Sequence, residues 1–507
     1  YNIENQPTQL RFGADNRKLT YTYDPIGRLY RRVAVGAANY TTQYAYFDPD
    51  PEDTILTTPL VTSITQNGQN FSYTYDNVGN ITSVTRNGLT TTYEYDSLGQ
   101  LTRVNDPHAN KSTMYLYDCG GNMTGYLSAP YTLAPTLEGV NETVFYTYGD
   151  SNWKDKVTAI GGKAITYDAI GNPLTYDGWT FTWKAGRMLA SMVKTGTNAQ
   201  FTYDHNGMRI RKIVNGVTTN YTLNGKNVVH MTQGSNDLHF FYDAQGKPGM
   251  VTYNDVDYFY VYNLQGDVVA LIDANGTQVV EYGYDAWGNP ISKTGSLAAT
   301  IGTLNPFRYR GYVYDEETGL YYLRSRYYNP SWKRFVNADV IMEGNAYSYC
   351  NDNPCNLMDD EGELPRGFMH EAVCDDIVEK SAGTLFKTEV KIVGIQGKAY
   401  GRADIRTADG MIWEVKRVTC SPNRAFRQVK GYLGGIWGRL KNGNEQPVRG
   451  DNRPISGVIT KYPGYIGYYM NVGNGYILYD YIKLTNLEQE TATGKVKESV
   501  SERAPAF

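Results

Sequence analysis

A short signature, Tyr-Asp-x-x-Gly followed most often by Asn, returns along the first two thirds of the chain and constrains everything around it. It reads Tyr23-Asp24-Pro25-Ile26-Gly27-Arg28, then Tyr75-Asp76-Asn77-Val78-Gly79-Asn80 and Tyr95-Asp96-Ser97-Leu98-Gly99-Gln100. Further copies begin at Tyr117, Tyr167, Tyr203, Tyr242 and Tyr284. Aspartate opens turns by accepting hydrogen bonds from amides just ahead of it, and glycine closes them by entering left-handed backbone without strain. The flanking residues alternate apolar and polar, the period of a half-buried strand. Each copy therefore predicts strand, turn, strand. The copies at Asp76, Asp96 and Asp118 stand about one hairpin apart, so the array is a stack in which each hairpin buries its face against its neighbours.

Composition agrees. Tyrosine (46) and glycine (52) are heavily used and charged residues make up only 20% of the 507, which favours a β-rich chain with many turns over helices or disorder. No apolar run approaches the roughly 18 residues of a membrane helix. The five scattered cysteines, an odd number with no Cys-x-x-Cys, argue against a disulfide framework or structural zinc. Residue 1 is Tyr and no signal peptide is visible, so the chain is expected to be a fragment of a longer precursor.

The array resembles the YD-repeat region of Rhs and teneurin-type proteins. The resemblance implies a long spiralling β-sheet forming a hollow shell, and makes the repeated Tyr and Asp side chains scaffold, not sugar or metal sites. Residues 305–364 then break the rhythm with Gly319-Leu320-Tyr321-Tyr322-Leu323-Arg324-Ser325-Arg326-Tyr327-Tyr328-Asn329-Pro330, Arg334-Phe335, Asp339, Asn345-Ala346-Tyr347-Ser348-Tyr349, Asn353-Pro354 and Asp359-Asp360-Glu361-Gly362. This is similar to the Rhs core-end signature, close to GLYYxRxRYYxPxxGRFxxxD…NxYxYxxNNPxxxxDPxG. In that family the two aspartates form an aspartyl-protease-like pair that cuts the chain and frees its C-terminal domain. Carried across, the pair is Asp339 and Asp359, with Arg334 beside them and the cut near Glu363-Leu364-Pro365. Two carboxyls sharing a proton can serve as base and acid toward a peptide bond. Asp360 stands where Pro is usual, Val340 follows Asp339 and Glu363 follows Gly362, which puts the position of the cut in doubt. Both aspartates also suit ordinary turns.

After the signature the family carries a variable C-terminal domain, very often a toxin; here residues 365–507 hold that place. Helices are expected over Met369–Ser381 and Asn423–Leu433, with strands at Leu385–Gly394, Lys398–Ile405, Met411–Val418, Ile455–Thr460, Tyr465–Val472 and Tyr476–Leu484. Asp409-Gly410 predicts a hairpin turn, and alternation would bring Asp404, Glu414 and Lys416 together. Two carboxylates and an ammonium suit a hard divalent cation and a polarised water.

This order, with Gln428 and Tyr432 four apart on the second helix, resembles the PD-(D/E)xK, restriction-endonuclease-like superfamily, although Ala403 stands where its Pro is usual. The resemblance implies Mg²⁺, or Mn²⁺, held by Asp404, Glu414, the Val415 carbonyl and Glu371. Lys416 would orient the attacking water and stabilise the transition state, and Gln428 would position Lys416 or the substrate. Glu414 and Lys416 could equally be a surface ion pair, and Glu371 a helix-start acid.

Charge is asymmetric: residues 365–507 carry 21 Lys+Arg against 15 Asp+Glu, and residues 1–364 carry 27 against 37. Arg417, Arg424, Arg427 and Lys430 lie in a basic stretch, Val415 to Arg453, suited to a phosphate backbone. A solvated basic face would look the same. His370 is the single histidine after His239, which argues against paired-histidine nuclease designs.

The expectation is thus a mainly β chain: a YD-repeat shell over 1–304, a core-end plug over 305–364 and a small α/β restriction-endonuclease-like domain over 365–507. It would be a secreted or cell-surface polymorphic toxin acting in the target-cell cytoplasm. Its own shell would enclose a nuclease directed at DNA sooner than RNA, with a delivery apparatus and a cognate immunity protein as partners. The alternatives are an RNase, an ADP-ribosyltransferase needing NAD, or a non-enzymatic adhesion scaffold.

Overall fold

The structure is a computed structural model. It describes most of residues 1–359 and Gly362 with their side chains and, beyond residue 384, the backbone of seven strands. Two units are distinguished, Tyr1–Ala45 with Leu60–Asp339 and Gly344–Pro365, and Tyr46–Pro59 with Val340–Glu343 and Arg366–Phe507.

In the first unit the repeats build a 27-stranded sheet in which successive strands pair antiparallel. One turn shows how the signature works. The Asp76 carboxylate oxygen Oδ1 accepts from the amides of Val78 (2.9 Å) and Asn80 (2.8 Å), and Oδ2 accepts from the Asn80 side-chain amide at 2.8 Å. Gly79, at φ +92°, takes the left-handed position that the turn requires. The same amide contacts recur at Asp96, Asp118, Asp168, Asp204 and Asp285.

In several repeats the tyrosine before the turn reaches back to the preceding hairpin. Tyr75 Oη donates to the Val61 carbonyl, Tyr95 to Ile81, Tyr203 to Leu189, Tyr242 to Val228 and Tyr262 to Pro248, all at 2.6–2.8 Å and all across 14 residues. The repeated Tyr and Asp are therefore structural, as the sequence implies. Early and late strands also meet. Phe12, Leu19, Tyr21 and Ala34 share a core with Met250, Phe259, Val261 and Ile272, and Arg32 donates to the Tyr260 carbonyl at 3.2 Å.

The plug packs against the array through aromatic bulk. A four-stranded sheet, Val313–Asp315, Leu320–Leu323, Arg326–Asn329 and Arg334–Phe335, carries Tyr321, Tyr322, Tyr327, Tyr328 and Phe335 into one core with Leu101, Val104, Phe181, Leu189 and Trp287 of the repeats. Among the described residues Cys119, Cys350 and Cys355 are free, and no helix is long and apolar enough to cross a membrane.

The second unit holds a mixed sheet in the order Leu385–Val393, Ala399–Thr407, Met411–Arg417, Tyr476–Lys483, Tyr465–Asn471, Ser456–Ile459; Val448–Arg449 also pairs with Met411–Arg417. All six strands expected from the sequence are present, within two residues at each end. The expected helices over 369–381 and 423–433 lie outside the described residues.

Candidate functional site

Arg326 opens a plug strand, and its buried guanidinium lies over the Phe335 ring, 3.5 Å from the centroid. From there it is the hub of a polar cluster. Nη2 lies 2.9 Å from Asp339 Oδ2 and 3.5 Å from Asp359 Oδ2, Nη1 donates to the Ala346 carbonyl at 3.2 Å, and Nε donates to the Gly362 carbonyl. Both aspartates are buried, at 7% and 1% exposure. Unpaired carboxylates at such depth would be expensive, so a shared guanidinium is what keeps two of them there.

The backbone fixes each carboxylate. The Asp339 amide donates to the Ala346 carbonyl at 2.8 Å. The Asp359 amide donates to Tyr312 Oη at 2.9 Å, and Asp359 Oδ1 accepts from the Gly362 amide at 2.8 Å. Gly362 sits at φ +69°, and a Cβ there would stand 2.8 Å from the Leu323 carbonyl oxygen, so glycine is required on both counts. Its carbonyl accepts from Ser325 Oγ at 2.6 Å as well as from Arg326. Two donors on one buried carbonyl polarise it, beside the carboxyls of Asp339 and Asp359.

Arg334 lies elsewhere in the plug. It donates to Tyr148 Oη and to the Asp155 carbonyl, both at 2.8 Å, with its guanidinium near the Tyr347 ring. The sequence reading gave the cationic place beside the pair to Arg334 and missed Arg326. Nearby, Asn337 is fully buried and neither polar atom of its side chain has a hydrogen-bond partner. Leu364, Glu363 and Asp360 lie outside the described residues.

Asp404 lies on the strand Ala399–Thr407, and Glu414, Val415, Lys416 and Arg417 lie on Met411–Arg417. These strands pair antiparallel with Ile405 opposite Trp413 and Arg406 opposite Ile412. Continued by one residue, that register sets Asp404 opposite Glu414. Directly opposed positions share a face of a sheet, and so do positions two apart on one strand; Asp404, Glu414 and Lys416 thus occupy same-face positions. Glu371, Arg424, Arg427, Gln428 and Lys430 lie outside the described residues.

A sheet of tyrosine-stapled, aspartate-turned hairpins carrying an aromatic plug defines a YD-repeat shell protein. Residues 56–356 match the family Teneurin YD-shell, and the chain belongs to that family. Among curated relatives, it is 35% identical over 274 residues to the tRNA3(Ser)-specific nuclease WapA of Bacillus spizizenii, covering 51% of this chain and 11% of the relative. It is 37% identical over 225 residues to the tRNA(Glu)-specific nuclease WapA of Bacillus subtilis subsp. natto, covering 42% of this chain and 10% of the relative. The chain therefore spans about a tenth of the length of these relatives. Among solved structures, TcdB2-TccC3-Cdc42 superposes with a TM-score of 0.52 at 19% identity, over 70% of this chain and 20% of that one, a likeness of fold.

Proposed function

We propose that this chain is part of a delivered toxin in which the YD-repeat shell carries and encloses a metal-dependent nuclease formed by residues 365–507. The observation that supports the reading is the antiparallel register of Ile405 with Trp413, whose continuation by one residue would oppose Asp404 and Glu414, with Lys416 two residues on. It has the residue types and the spacing that phosphodiester hydrolysis needs. Asp404 and Glu414 would hold the cation, with the Val415 carbonyl and Glu371 completing its shell; Lys416 would orient the attacking water, and Gln428 would position Lys416 or the substrate. Mg²⁺ or Mn²⁺ held there would supply a water of lowered pKa and charge to offset that on the phosphate. Arg417, Arg424, Arg427 and Lys430 hold the backbone of the nucleic acid.

The superfamily resemblance favours DNA as substrate. The names of two relatives, both tRNA nucleases, favour RNA. The partners proposed are a delivery apparatus and an immunity protein that covers the basic stretch, with action in the cytoplasm of the target cell after secretion.

Incubation of the full chain, and of residues 365–507, with plasmid and with total tRNA decides both questions. Cleavage of one of them in Mg²⁺, lost with EDTA and in Glu414→Ala, is expected. No cleavage of either, or cleavage indifferent to EDTA and to Glu414→Ala, rules the nuclease out.

Buried within the plug, the Asp339–Asp359 pair supports a second activity, self-cleavage between Gly362 and Pro365, which would free the nuclease from its shell.

A further inference from the structure

A second cluster lies on the hairpin Asn227–Gln233 and Asn236–Tyr242. Gly234, at φ +60°, closes its two-residue turn and fixes the register: Gln233 opposite Asn236, Thr232 opposite Asp237, Met231 opposite Leu238, His230 opposite His239. Met231 and Leu238 face the core, at 3% and 0% exposure. The other face receives His230 and His239 as a direct cross-strand pair, with Asp237 two residues before His239 on the same face.

The side chains converge. The two imidazole rings stack at 4.3 Å with 15° between their planes. His239 Nε2 lies 3.3 Å from Asp237 Oδ2, and His230 Nε2 contacts Oδ1 of the same carboxylate. One donor atom from each of the three residues lies within 4.8 Å of the others. Ligands on a tetrahedral ion with bonds of about 2.0–2.1 Å stand roughly 3.3 Å apart, so His239 and Asp237 are already at that spacing. The half-exposed side chains of Asp237 and His239 leave a fourth position to solvent.

We propose that His230, Asp237 and His239 form a surface binding site for a divalent transition metal, Zn²⁺ foremost. Two imidazoles and one carboxylate are borderline donors, which favour Zn²⁺, Ni²⁺ or Cu²⁺ over the hard Mg²⁺ and Ca²⁺. The site is therefore chemically distinct from the all-oxygen set proposed on the C-terminal strands. An ion bound here would cross-link the hairpin across its two strands. It would compete with protons for the imidazoles, so binding weakens in acid.

Calorimetric titration of the full chain with Zn²⁺, in excess Mg²⁺ to fill hard-oxygen sites, tests this against the double variant His230→Ala/His239→Ala. One more equivalent of Zn²⁺ is expected in the wild type at pH 7.5, absent from the double variant and lost at pH 5.5. Asp237→Asn should weaken that equivalent at least about tenfold, since it removes a direct ligand. Equal stoichiometry and affinity in wild type and double variant overturn the site. A spectroscopic test does not depend on any variant folding: one Cu²⁺ per wild-type chain should show nitrogen couplings from two imidazoles, and a signal without them overturns the proposal equally.

Discussion

Arg326 Nη2 stands 2.9 Å from Asp339 Oδ2, an ion pair inside the plug, and the same nitrogen reaches Asp359 at 3.5 Å. If the pair cuts the chain, the purified protein resolves into two fragments. Asp339→Asn and Asp359→Asn should each leave a single full-length band, and mass spectrometry of the smaller fragment should place its start between Glu363 and Pro365. A wild type that stays full-length through prolonged incubation sinks this reading.

A second expectation concerns Arg209, which grips Asp315 with both terminal nitrogens, at 2.5 and 3.1 Å, while Lys212 Nζ lies 3.1 Å from Asp315 Oδ1. Asp315 is fully buried, and the two cations hold its carboxyl below the usual range despite the desolvation that opposes them. Asp315→Ala strands the buried Arg209 guanidinium and leaves Lys212 with Glu317, 2.8 Å away, as its remaining acidic partner; it should cost about 3–5 kcal/mol in denaturant unfolding. The exposed pair Lys163–Asp177, at 2.8 Å, provides the contrast. There Asp177→Asn should change stability by less than about 1 kcal/mol. Equal effects at the two sites would contradict the account.

Asp352 carries a pH signature. It stands where the core-end pattern has Asn, at φ +58°, and desolvation raises its carboxyl to about 7 against the opposing pull of Arg334, Ser348 and Gln100. The folded protein then holds a proton that the unfolded chain has released, so stability declines as pH rises from about 3.8 to about 7. Over that window the loss amounts to roughly 4 kcal/mol. Asp352→Asn should lack the decline and melt higher at pH 7.5. Parallel melting curves for the two proteins from pH 4 to 7.5 would refute it.

Lys333 has the opposite sign. The pattern has Gly here, and the backbone keeps a glycine-like φ of +56°. Burial depresses the ammonium to about 8, although it sits over the Tyr126 ring at 3.7 Å. The unfolded chain binds the proton more tightly, so stability should rise between about pH 8 and about 10.5. Lys333→Gly removes both the buried charge and the left-handed strain. Its advantage should reach about 3 kcal/mol at pH 7 and narrow through pH 10. An advantage that does not vary with pH would show the charge to be irrelevant.

These positions mark what the sequence could and could not convey. The turns were legible because Asp76 and Gly79 act within five residues, and the strands because alternation is local. Arg326 was not: it meets Asp359 across 33 residues through the fold of the plug, and a pattern with several arginines does not say which one arrives. Arg334 looked equally suitable and went to Tyr148 instead. His230 and His239 were passed over because their meeting depends on the register that Gly234 and Ser235 impose. Asp404 and Glu414 were paired by reading through Asp409-Gly410; the register found between the two strands opposes their neighbours, Ile405 to Trp413 and Arg406 to Ile412.

The tyrosine staples have a direction. Tyr75, Tyr95, Tyr203, Tyr242 and Tyr262 each donate to a carbonyl made earlier in synthesis, none to one made later. Each of these staples thus finds its acceptor already emerged from the ribosome, although the core of the first strands closes only when Met250 to Ile272 arrive. The sheet can be laid down course by course, like masonry, at the pace of translation, with the plug and the residues beyond it added last.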